Sequence, residues 1–204
     1  MRRLSIIVLA LIMAGCLGGG QRPASLSKGE KNLINGSDSL MRVLSVFDQD
    51  DSLLLRTKSV DFSDKDLRSK VFKALAAKML YTVKDPSQDG VGIAGPQVGL
   101  NRRVVAVQRF DLPGEPFGVY PNIRIDSLWG KRVPGPEGCL SVPGWRGLVP
   151  RYDHVIVSYM DPVTLKTVRD TVEGFTAVIF QHEIDHLEGI IYTDRADSLW
   201  VDER

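Results

Sequence analysis

Apolar residues recur every four positions from Leu67 through Val71, Leu75 and Met79 to Val83, the stripe of an amphipathic helix. Ser63 followed by Asp66 supplies an N-terminal capping pair, so the spacing predicts one helix over "SDKDLRSKVFKALAAKMLYTVKD", stopped at Asp85-Pro86. The period then changes. "DGVGIAGPQVGLNRR" is a glycine-rich loop, and the β-branched "VVAVQRF" predicts a short buried strand. No period is legible over residues 112–136, which are crowded with Pro and Gly. "HVIVSYMD" and "TVRDTVEG" read as strands joined by turn chemistry at Asp161-Pro162. The apolar run "FTAVIFQHEIDHLEGII" predicts a buried closing helix from Phe175 to a glycine stop at Gly189. Strands flanked by a helix at each end predict an α+β domain, with antiparallel sheets packed around the C-terminal helix. "SLWVDER" reads as a polar, peripheral tail.

Composition changes this picture mainly at the N-terminus. The 204 residues suit one domain plus an appendage, and with a formal charge of +1 nothing points to nucleic acid as a bulk partner. "MRRLSIIVLALIMAGC" has a basic start, an apolar stretch from Leu4 to Met13 and small residues before Cys16. The stretch is shorter than the ~20 residues a membrane-spanning helix needs, and it reads as an export signal. It resembles a bacterial lipoprotein signal, which implies removal of residues 1–15, lipidation of Cys16 and a membrane anchor. Residues 17–39 are expected to be a flexible tether and 40–204 the folded domain.

The apolar closing run is interrupted by polar residues, and buried polar groups need partners. His182 and His186 lie four apart, on one helical face, and Glu183 stands beside them. This H-E-x-x-H spacing is the signature of a metal hydrolase in which Glu is the general base. A catalytic ion of this type takes three protein ligands. Tyr192 stands where one protease class has its third histidine, His154 reads as a strand surface residue, Glu188 is too close in sequence to serve easily, and Glu203 lies in the tail. Cys139, in "GPEGCLSVPGWRGLVPR", supplies a thiolate that suits such a site. On residue chemistry alone, a buried thiol acting as a small hydrophobe fits Cys139 equally well.

Three motifs occur in order: "GVGIAGPQ" (Gly90 to Gln97), "EGCLS" (Glu137 to Ser141) and "QHEIDH" (Gln181 to His186). Together they resemble the signature motifs of peptide deformylases, with similarity expected from about Leu40 to Asp194. The resemblance implies an α+β hydrolase that removes the formyl group from N-formylmethionyl peptides. Its single divalent cation would be Fe2+, with Zn2+ or Ni2+ as alternatives. By the same resemblance, Cys139, His182 and His186 are the ligands and Glu183 the general base and acid. Gln97 and the Leu140 N–H donate to the oxyanion, Val91, Gly92 and Gly138 bind the peptide main chain, and Arg146 lies near the substrate. Val178 and Ile179, one turn before the histidines, are expected to wall a pocket for an unbranched thioether. Gly95 stands where the family more often has alanine and is expected to loosen the loop holding Gln97; Pro121-Asn122 also departs from the family's usual order. The protein is expected to be a monomer. An exported copy would meet free formyl-peptides or formylated exported proteins, and zinc would replace oxidation-prone iron. The alternatives are a catalytically silent peptide-binding lipoprotein and a general metallopeptidase.

Overall fold

A computed structural model describes residues 23–36, 38–88 and 90–203. The predicted closing helix is α5 (Gly174–Leu187), and two antiparallel sheets enclose it. One sheet has the order β1 (Gly92–Ala94), β2 (Val104–Gln108), β3 (Phe117–Pro121). The other has the order β4 (Arg124–Gly138), β5 (Trp145–Met160), β6 (Thr167–Glu173). Ala177, Phe180, Ile184 and Leu187 of α5 pack against Val105 and Val107 of the first sheet and Val155, Val157 and Val172 of the second. Side chains two apart on a strand share a face, so each sheet offers one apolar face to the helix. The C-terminal glycine stop holds: Gly189 has φ +74°, and a Cβ there would lie 2.7 Å from the Arg56 carbonyl carbon.

A second apolar cluster forms behind the first sheet. The helix expected from Ser63 onward is divided in two, α3 (Asp64–Leu67) and α4 (Lys70–Val83). The break has a local cause. Ser69 leaves the helical path and its hydroxyl caps α4 by accepting from the Phe72 N–H at 3.1 Å. The predicted stripe still points inward, with Leu67, Leu75, Met79 and Val83 buried. The Pro- and Gly-rich stretch contains β3 and most of β4, whose bulges between Ile125 and Ser127 and between Trp129 and Arg132 erase any simple alternation.

The two ends of the described chain differ from expectation. Residues 23–36 do not behave as a tether. They form a bridge between Ala24 and Phe62 and then α1 (Lys28–Ile34), capped by a Ser27–Glu30 box. Leu26 and Ile34 are buried in the α4 cluster. Arg102, itself buried, holds the segment by pairing with Glu30 and donating to the carbonyls of Ala24 and Ser25. The segment has too few apolar residues to show a period, and its Gly, Ser and charged residues give a linker-like composition. At the other end, the expected peripheral tail is strand β7 (Ser198–Val201), which pairs with Trp145–Leu148 of β5. Residues 1–22 lie outside the described part, and with them the expected export signal and Cys16; among the described residues no helix is long and apolar enough to cross a membrane.

If residues 23–36 belong to the core, Ile34→Ala should cost about 2–5 kcal/mol. Urea unfolding should show this as a lower midpoint at unchanged slope. A change within ~0.5 kcal/mol, as for a surface site, would return the segment to tether status.

Candidate metal centre

The helix α5 carries Gln181, His182, Glu183, Asp185 and His186 into the core, and all but Glu183 meet a specific side-chain or backbone partner. Gln181 mends the sheet. β7 covers β5 over 145–148 and β6 covers it over 154–160, leaving the edge near Tyr152 open. The Gln181 amide fills that gap: its oxygen accepts from the Tyr152 N–H at 3.1 Å, and its nitrogen donates to the Tyr152 carbonyl at 2.7 Å.

His182 and His186 stand one turn apart with ring centroids 5.1 Å apart. Cys139 follows directly on β4, and its Sγ lies 3.2 Å from His186 Nε2. Ligand atoms of Cys139, His182 and His186 all fall within 4.8 Å of one another. One soft sulfur and two imidazole nitrogens make a donor set suited to a divalent transition metal. The alternative reading of Cys139 as a small hydrophobe does not fit this placement, because its sulfur faces two rings and two N–H donors. Tyr192, at the position of a protease's third histidine, contributes packing: its buried ring stacks over His182 at 6.0 Å. His154 is on β5, away from the centre, beside Asp153 and Glu173. Glu188 is engaged by Lys58 and Arg103.

A residue with no role in the sequence reading completes the centre. Glu137, buried at the start of the EGCLS motif, accepts from His182 Nδ1 at 2.8 Å. This fixes the tautomer that leaves Nε2 for an ion, and carboxylate partners of this kind raise ligand basicity. Arg151 grips Glu137 through Nε and Nη2 and reaches Asp185 through Nη1; Arg195 binds Asp185 from the other side. The sequence signal was available in part: two acidic residues stand inside the HExxH and EGCLS motifs, Asp185 and Glu137.

The electrostatics follow from burial. Burial opposes charge on His182, but hydrogen bonds with Cys139 and Glu137 outweigh it and raise the ring well above its usual range. Burial, then the positive charges of His182 and Arg151, hold His186 well below it. Burial raises Glu137, but His182 and Arg151 outweigh it and keep the carboxyl below its usual range. Burial pushes Glu183 up to about 7, against the pull of His182. Its Oε2 has no hydrogen-bond partner, and the side chain lies against Gly92: a Cβ there would come within 2.9 Å of Glu183 Cγ and Cδ. Gly92 is thus required by the Glu183 side chain itself, whatever passes over it.

Gln97 occupies a 3-10 turn (Gly95–Val98) between β1 and β2. Its Oε1 accepts from the Ala94 N–H at 2.8 Å, which directs Nε2 toward Ser141 Oγ at 3.3 Å and Cys139 Sγ at 3.5 Å. The expectation that Gly95 loosens this loop is reversed. A Cβ at Gly95 would lie 2.5 Å from the Arg102 carbonyl oxygen and 2.9 Å from that of Leu100. Glycine permits the closer packing.

The centre opens into a cleft of about 710 Å³, lined by Val91, Gly92, Gln97, Gly138, Leu140 and Arg146, with Val178 and Ile179 along the helix side. Ile179 is nearly all core, so Val178 is the more exposed of the two. The expected site residues from 91 to 183 therefore border one space, and His186 lies buried behind them against the Cys139 sulfur.

Comparisons with known proteins agree with this geometry. The sequence profile of the family described as "Polypeptide deformylase" matches residues 43–200. A peptide deformylase of Leptospira biflexa is 36% identical over 152 residues, covering 71% of this chain and 83% of the relative. One of Desulforudis audaxviator is 39% identical over 150 residues, covering 69% and 94%. The solved Met-Ala-Ser-bound class I type b peptide deformylase of Acinetobacter baumannii superposes with a TM-score of 0.67 at 33% identity, over 76% of this chain and 98% of that one.

Glu183 gives a pH test. Its ordinary value is 4.5 and its value in the fold about 7, so between these the native state holds a proton that the unfolded chain has lost. Stability therefore falls as pH rises through this window, and the penalty is complete above 7. Metal-free Glu183→Gln should exceed the parent in stability by ~3 kcal/mol at pH 8 and by little at pH 4. Equal differences in denaturation at both pH values would show that the carboxyl is not raised.

Proposed function

The chain belongs to the polypeptide deformylase family, and from that premise we propose how its site hydrolyses the formyl amide of N-formylmethionyl peptides to formate and a free amine. The observation that carries the reading is the convergence of Cys139, His182 and His186 beside a buried, unpartnered Glu183 oxygen. These residues fit a divalent cation and would hold it. When bound, it supplies Lewis-acid chemistry that makes water available as a nucleophile near neutral pH.

The other parts belong to the chain. The peptide lies extended with its backbone against Val91, Gly92 and Gly138, and its thioether enters the space beside Val178. Glu183 removes a proton from the attacking water and later delivers one to the departing amine nitrogen. A carboxyl raised toward neutrality by burial is suited to both transfers. As the formyl carbon becomes tetrahedral, its oxygen gains negative charge. Gln97 Nε2, oriented through the Ala94 N–H, and the Leu140 N–H donate to it. Each such donor accounts for about 10²–10³ in kcat. The formyl C–N bond then breaks. The apolar packing of α5 keeps bulk water from the proton path.

The identity of the ion follows donor softness only as far as a borderline metal; iron(II) is our first reading, with zinc or nickel as substitutes. We also propose that the leader at residues 1–16 exports the protein and that Cys16 carries a lipid. Labelled palmitate should enter the parent and not Cys16→Ala in a bacterial host; equal labelling of both would sink the anchor.

Metal-loaded protein should release formate from formyl-Met-Ala-Ser, leave the acetylated and unblocked peptides intact, and lose about 10²–10⁴ of the rate in Glu183→Gln. Val178→Phe should raise KM for the formyl-Met peptide. Cleavage of an internal amide would favour the peptidase, and silence on all three peptides would favour the binder.

A further inference from the structure

We propose that Asp202 is a specificity-determining residue: by binding Arg146 at the rim of the cleft, it cancels the preference this arginine would otherwise give to substrates with an acidic residue at the second position after the methionine. The inference rests on the deformylase reading of the same cleft.

The placement is built by three strands. β4 ends at Gly138, next to the ligand Cys139, and Gly138 is in register with Arg146 on β5. On the other edge of β5, Arg146 is in register with Trp200 of β7. Asp202 is two residues further on and therefore shares that face. Its own N–H is tied to the Gly144 carbonyl at 2.9 Å. Arg146 Nε donates to Asp202 Oδ2 at 2.8 Å. With no side chain on Gly138, the guanidinium lies across that backbone; a Cβ there would be 3.7 Å from Arg146 Cζ. On the extended binding proposed above, a peptide running from the metal centre past Gly138 would meet this guanidinium next.

Charge makes the pair decisive. Among the described residues lining the cleft, Arg146 and Asp202 are the charged side chains outside the metal centre and its Glu137 partner. Arg146 alone would give the cleft mouth a cation that favours acidic side chains and free carboxylates. Asp202 neutralises it and holds it in place through Nε. Asp202 directly follows β7 and lies just beyond the 43–200 stretch that the family profile matches. The two side chains are 32% and 23% exposed, which keeps the effect modest because solvent screens such pairs.

The test compares formyl-Met-Ala-Glu-amide with formyl-Met-Ala-Lys-amide on the metal-loaded full chain. Asp202→Asn keeps an oxygen for Arg146 Nε but removes the charge. The Glu-to-Lys ratio of kcat/KM should rise about fivefold, shrink again as salt is raised, and return to the parental ratio in the double variant Asp202→Asn/Arg146→Gln. A purely structural role would depress both peptides alike and leave the ratio unchanged, which would overturn the proposal. Competition binding of Met-Ala-Glu-amide and Met-Ala-Lys-amide reads the same ratio without turnover. If no peptide yields formate, the deformylase reading fails, while the binding ratio still decides for or against Asp202.

Discussion

The structure depends on keeping a polar helix face inside an apolar core. α5 buries Gln181, His182, Glu183, Asp185 and His186 between two sheets. Isolated polar or charged groups in such a place would cost more than the surrounding packing could offset. Pairing with β4 and β5 resolves this. Gln181 bonds to the backbone of Tyr152, Glu137 to His182, and Arg151 to both Glu137 and Asp185. Buried ion pairs of this kind add little net stability, but removal of one partner leaves an uncompensated charge. The network therefore acts as a register device: it lets α5 sit in one rotation and at one height, the one that brings both imidazoles to Cys139.

The proposed oxyanion donor is built away from this helix. Gln97 is on the short turn after β1, a segment with little secondary structure of its own. It is held from behind. Leu44 donates to the Gln97 carbonyl, and the Arg102 loop is drawn in against Gly95 while Arg102 grips the N-terminal segment. Chemistry faces the cleft on one side of this turn, and α1 and α4 support the other.

Sequence patterns reached the helix stripes, the strands of β-branched residues, the metal-binding spacing and the three motifs, since each is a local regularity. What they missed depends on contacts distant in sequence. The role of Glu137 requires knowing that β4 passes beside α5. The burial of Leu26 and Ile34 requires the reach of Arg102. The function of the last residues requires the pairing of β7 with β5. The helix break at Ser69 is the exception: it is local, and a serine before an apolar run could have been read as a cap. Gly95 shows the opposite failure, a local departure from the family's usual residue whose meaning is reversed by two carbonyl groups that fold back onto it.

The docking of residues 23–36 shortens the distance that chain upstream of the domain can bridge. Only six residues, 17–22, separate Cys16 from Pro23, about 20 Å when fully extended. On the proposed anchoring, the enzyme would therefore ride close to the lipid headgroups rather than roam at the end of a leash. Its reachable substrates would be peptides that come to the bilayer surface.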